Sequence, residues 1–292
     1  MNTRPYPPLV NRYGSVGESG EWRVAIDAYY WDKMAEAYEI ANNLSASNLQ
    51  WYRMIEGEAL TRERSVTKQV TPWLSIEHVP EEIDLDQAHV DAISEACSEV
   101  AGRLGWNFEM GVMVSILLEE VNAPWHGARA GYCMDKYPYD KICIPRAAAV
   151  SVERLAQIVR HEYTHVITLN VTRGRIPHWL DEGLAMLMEG ESIPLGPNWL
   201  APDPLNGAFE EDRRVTEGIV NSTHAYAQGA AIVRYLYSKG GEVKLAKLLR
   251  AFVNHGLWAE IKINLLGEPS VDEALHEVYG FGQRELFQMA KP

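Results

Sequence analysis

From Trp22 onward, apolar residues recur at helical spacing: Trp22, Ile26, Tyr29, Tyr30, Met34, Ala37, Tyr38 and Ala41 fall on one face. A second aromatic-rich helix is predicted from about Asn48 to Arg64, making an N-terminal helical hairpin within residues 21–71. Trp31, Met34, Ala35 and Tyr38 fit the opening of a tetratricopeptide helix, but no second copy follows and solenoids need stacked repeats. Residues 1–20, with Pro5, Pro7, Pro8, Gly14, Gly17 and Gly20, have little periodicity and predict a flexible tail.

After Pro72 the period changes. Leu74 and Ile76 alternate with polar neighbours as in a strand, and Ile93, Cys97, Val100 and Leu104 mark a helix that Gly105 ends. The continuous apolar run Val112–Leu118 predicts a buried strand, and Arg129–Met134 and Lys141–Ile144 two shorter ones around a turn at Pro138 and Asp140. From Ser151 the period is helical almost to the end, with a capping box at Ser270 and Glu273 and helix stops at Gly174, Gly190, Gly240 and Gly280. Only 191–212, with four prolines and two glycines, predicts a long irregular segment. The expected fold class is α+β: a sheet subdomain (72–150) and a helical subdomain (151–292), preceded by the hairpin.

Charge narrows the partners. Lys plus Arg number 27 against 40 Asp plus Glu, a formal net charge of −13, and the densest basic stretch, Arg53–Lys68, is interleaved with Glu56, Glu58 and Glu63. Nucleic acid and anionic membranes are poor partners for such a surface. No apolar run of membrane length and no charged-then-apolar leader is found, so a cytoplasmic protein is expected. Cys97, Cys133 and Cys143 are too few and irregular for a disulfide framework and predict reduced thiols, although Cys133 and Cys143 fit neighbouring strands.

The chemistry concentrates in one segment. His161, Glu162, Tyr163, Thr164 and His165 spell HExxH within a helix expected to open at Ser151 and end near Gly174. Residues four apart share a helix face, so His161 and His165 can offer two imidazole nitrogens to one zinc ion, with Glu162 beside it. Two core or surface histidines on a helix give the same spacing without a metal. The next segment, Pro177-His-Trp-Leu-Asp-Glu-Gly-Leu-Ala185, predicts a second helix opening at Pro177, whose Glu182 either completes a His, His, Glu site with the fourth position left to water, as in catalytic zinc sites, or is a helix N-terminal carboxylate favoured by the dipole.

HEYTH followed by WLDEGLA resembles the gluzincin metallopeptidases, the thermolysin-like and peptidase-MA-like group, over about residues 72–290 in order of elements. That resemblance implies a zinc peptidase with the HExxH helix at the junction of the sheet and helical subdomains. His161, His165 and Glu182 would be the metal ligands and Glu162 the general base. Tyr226, followed three residues later by Gly229, is similar to the family's tyrosine that donates to the oxyanion; His224 is the alternative donor. Where thermolysin-like enzymes carry a supporting carboxylate one turn after the glutamate ligand, this chain has Met186, and Asp181 is the substitute at hand. No GxMEN-like strand precedes His161, which favours an endopeptidase over an aminopeptidase.

Lys141–Ile144 falls where the family's substrate-lining edge strand would lie, and 191–212 where a segment could line or cover the cleft. The substrate implied is a peptide or protein. Two alternatives stay open: a zinc-holding noncatalytic module whose N-terminal helices bind a protein, and a zinc hydrolase of a nonpeptide amide. Those helices could equally be an inhibitory prosegment or plain scaffold. His78, His89, His126, His178, His255 and His276 lack ligand spacing.

Overall fold

A run of apolar residues that ignores the alternation of a half-exposed strand belongs in the middle of a covered sheet, and Val112–Leu117, apolar except for Ser115, is found there as β3 with all six residues buried. The computed structural model describes residues 20–44, 49–108, 110–118, 131–190, 192–196, 198–213, 222–253 and 270–292. These fall into two compact units, 1–99 with 107–166, and 100–106 with 167–292.

The first unit is built on a five-stranded mixed sheet of order β1-β2-β3-β5-β4. Its strands are β1 (Val66–Gln69), β2 (Leu74–His78), β3, β4 (Tyr132–Met134) and β5 (Asp140–Pro145). Strands β2, β3 and β5 are parallel, and β1 and β4 add antiparallel edges. The edge strand expected at Lys141–Ile144 is therefore interior: β5 pairs with β3 on one side and β4 on the other, and β4 is the edge among the described residues. Cys133 and Cys143 do lie on neighbouring strands, but Cys133 faces Ile142 and Tyr132 faces Cys143. None of the three forms a disulfide among the described residues.

The N-terminal residues form three helices, α1 (Gly20–Tyr30), α2 (Met34–Leu44) and α3 (Leu49–Arg64), where the periodicity predicted two. The break is at Asp32, whose backbone turns left-handed with φ 59° and whose carboxylate is ion-paired with Arg62 of α3. β1 was likewise not anticipated: its four residues are all exposed, so no apolar alternation marks it. The tail expected at 1–20 lies outside the described residues except for Gly20. Trp22, Ile26, Tyr29, Met54 and Ile55 share one apolar cluster with Leu117, Tyr132, Met134 and Cys143, so α1–α3 and the sheet have a common core. The unit also holds α4 (Gln87–Leu104) up to Glu99, the short α5 (Arg146–Ala149), and α6 (Val152–Thr172) up to Val166.

The second unit is helical: the remainder of α4 and α6, then α7 (His178–Glu189), α8 (Pro202–Arg213), α9 (Ser222–Ser238), α10 (Gly241–Ala251), α11 (Val271–Tyr279) and α12 (Gln283–Met289). The expected capping box is present: Ser270 Oγ accepts from the Glu273 N–H at 3.2 Å, and Glu273 accepts from the Ser270 N–H at 2.6 Å. The irregular segment ends earlier than predicted, because Pro202 is tolerated at the first position of α8 and Leu205, Ala208 and Phe209 give that helix a buried face. What remains irregular among the described residues, 192–196 and 198–201, runs along α9. Gln228, fully buried, accepts from the Leu200 N–H at 2.9 Å and donates to the Leu200 carbonyl at 2.7 Å.

α7 and α9 cross where both helices have glycine. A methyl on Gly183 would stand 2.5 Å from the Gly229 carbonyl oxygen, and one on Gly229 would stand 2.9 Å from the Trp179 carbonyl oxygen. Only hydrogen at these two positions lets the backbones approach so closely. Among the described residues no helix is long and apolar enough to cross a membrane.

Candidate functional site

α6 is a 21-residue helix opened by Ser151, whose Oγ accepts from the Arg154 N–H at 3.3 Å. Leu155, Ile158, Val159, Val166 and Ile167 are buried, and they fix how the helix is rotated. Tyr163, 1% exposed, lies 6.3 Å from the ring of Trp73, which stacks on Phe108 at 4.0 Å. With that face committed, His161 and His165 stand one turn apart, ring centroids 5.0 Å from each other and 74° between planes.

Glu182 lies on α7, in its second turn. The expected helix start is displaced by one residue: Pro177 is the N-cap, with ψ 150°, and His178 opens the helix. The α7 start is held by the Asn206 side chain, which accepts from the Trp179 N–H at 3.3 Å. It is also tied to α6: Thr168 Oγ1 donates to Asp181 Oδ1, and both side chains are buried. Thr168 comes three residues after His165 and Asp181 just before Glu182, so this bond links the neighbours of two ligand positions.

One ligand atom from each of His161, His165 and Glu182 lies within 4.8 Å of the other two, the one such group of three among the described residues. Four-coordinate zinc at about 2.0–2.2 Å from its ligands sets them about 3.4 Å apart. Two imidazoles and a carboxylate suit zinc chemically, and three ligands leave a position for water.

Glu162 follows the first histidine and is 5% exposed. Gly131, one residue before β4, is packed against it: an added methyl would stand 3.2 Å from Glu162 Cγ, 3.0 Å from the Cys143 carbonyl oxygen and 2.9 Å from Ile158 Cγ2. The edge strand thus begins beside Glu162.

Tyr226 is half-buried on α9, its ring edge-on to Phe209 of α8 at 5.2 Å. It is not a member of the ligand group. His224 and Gln228 are one turn apart on α9, and the chain 192–201 meets both: Gly196 lies against the His224 ring and Leu200 against Gln228. Tyr226 projects roughly opposite to that face. Of the histidines set aside, His89 is paired with Asp86 at 2.6 Å, while His126 and His255 lie outside the described residues.

Sequence reasoning missed Thr168, Gly131 and Gln228. Thr168 had a signal, a polar residue one turn beyond HExxH on the same helix; the other two depend on neighbours far away in sequence. No known protein family, curated protein or solved structure matches this chain.

Proposed function

We propose that this chain is a zinc metallopeptidase, acting as an endopeptidase on peptides or proteins. The observation that carries the reading is the meeting of His161, His165 and Glu182 within ligand distance of one another, next to a buried Glu162.

Zinc held by the three side chains would supply a water of near-neutral pKa and polarise the scissile carbonyl. Glu162 takes the proton of the attacking water as general base and delivers it to the leaving amine. Glu162 lies beside Gly131, one residue before β4, which supports a reading in which an extended peptide aligns along that strand. Tyr226 donates its phenol hydrogen to the oxyanion of the tetrahedral intermediate. Asp181, held by Thr168, orients the ligand-bearing turns, the role expected of a carboxylate behind a metal site.

The test is zinc-dependent cleavage of a quenched-fluorescence peptide library by the full chain. Dialysis against a chelator should remove one zinc per chain and the cleavage together, and added zinc should restore both. His161→Ala and Glu182→Ala should fail to retain zinc in elemental analysis. A folded, zinc-bound protein that cleaves nothing in the library would reject the peptidase reading and favour a noncatalytic module.

A further inference from the structure

Beneath the sheet of the first unit lies a buried cluster of charges that the proposed chemistry does not use. Glu58 of α3 is fully buried, and its Oε1 accepts from Lys136 Nζ and from Lys141 Nζ, both at 2.8 Å. Its Oε2 accepts from the Tyr29 hydroxyl at 2.8 Å. Lys141 Nζ also donates to Glu77 of β2 at 2.7 Å. Lys136 Nζ sits 3.8 Å over the Tyr29 ring. Both lysines are 1% exposed.

Filling a core with ions is not the route to greatest stability, since apolar side chains of similar volume often do as well or better. What ion pairs add is direction. Lys136 lies two residues after β4 and Lys141 is the second residue of β5, so Glu58 grips both sides of the loop that joins these strands. At its other end the same hairpin meets α6, where Gly131 touches Glu162. Among the described strands β4 pairs with β5, and this grip adds a second hold on the hairpin that carries it.

We propose that Glu58 is a positioning residue: through Lys136 and Lys141 it braces the β4–β5 hairpin and so sets the edge strand beside Glu162 on which a peptide substrate aligns. The N-terminal helices are then an integral part of the catalytic unit and neither a removable inhibitor nor a separate recognition module. The alignment of substrate rests on the peptidase reading; the bracing does not.

Hydrogen exchange on the zinc-loaded full chain, compared with Glu58→Gln, tests the brace independently of activity. Exchange across 131–145 should speed up at least tenfold, with 222–251 unchanged and zinc content equal to that of the unsubstituted protein. Cleavage of a quenched peptide should lose at least tenfold in kcat/KM, mainly through KM. Unchanged exchange across 131–145, or an equal rise throughout the chain, overturns the brace. Faster exchange with undiminished kcat/KM overturns the positioning role. If the unsubstituted protein cleaves no peptide, the peptidase reading fails and the exchange result alone still decides the brace. If Glu58→Gln does not fold, Glu58→Gln with Lys136→Gln, which removes one charge of each sign, takes its place; failure of both to fold also overturns the proposal, because a brace confined to the hairpin leaves the rest of the chain folded.

Discussion

Thr168 shows how much can rest on one hydroxyl. Its bond to Asp181 is a buried, charge-assisted contact between the turn that follows His165 and the residue that precedes Glu182. Thr168→Val keeps the shape and removes the donor, and zinc affinity should fall about 10–100-fold, the usual cost of losing a partner behind a metal ligand. A competition titration with a chromophoric chelator measures this, and an unchanged affinity would remove Asp181 from the site. Glu58 and Glu77 make a second prediction at this scale. Burial opposes their ionisation, but Lys136, Lys141 and Arg62 outweigh it for Glu58, and Lys141 does so for Glu77, so both are held below the ordinary glutamate value. A carboxyl depressed in the folded state contributes stability that is complete above its unfolded value, about 4.3, and is lost as pH falls through the folded values. Urea denaturation midpoints should therefore drop below about pH 4.3 and drop less steeply in Glu77→Gln; parallel curves would contradict the assignment.

At the scale of elements, the crossing of α7 and α9 is the most constrained contact. Gly183→Ala brings a methyl to 2.5 Å from a carbonyl oxygen, closer than any side chain tolerates, so the helices must separate. A loss of about 1–3 kcal/mol is expected from such overpacking, read as a lower denaturation midpoint. Because Gly183 follows Glu182, zinc binding should weaken in the same variant, whereas an exposed substitution such as Val243→Ala should change neither property. The elements that a period of 3.6 or a long apolar run announces were legible in the sequence: α4, α6, α9, β3 and the Ser270 cap. Those that depend on distant partners were not. Nothing in Val66–Gln69 announces a strand, since its pairing with β2 is through backbone and its side chains all face solvent. Asp32 breaks a helix that the apolar spacing carries straight through, because Arg62 lies thirty residues away. α8 hid behind its prolines. The residue types of the His161, His165 and Glu182 cluster stand in HExxH and WLDEGLA; that Glu182 reaches the two histidines, and that Gly131 abuts Glu162, depends on tertiary packing.

At the scale of the molecule, residues 20–64 complete the core of the first unit and supply the carboxylate at the centre of its buried charges. A chain of net charge −13 buries the side-chain charges of Lys136 and Lys141 where Glu58 and Glu77 need them, so part of its small cationic complement is spent internally. Glu162→Gln tests the proposed role of Glu162, moving a proton at a zinc-assisted hydrolytic site. Zinc content and peptide cleavage should be measured side by side on this variant and the unsubstituted chain. Equal zinc, one per chain, is expected, with turnover reduced roughly 10²–10⁴-fold, the range for loss of a general base. Equal zinc with an undiminished rate would contradict that role.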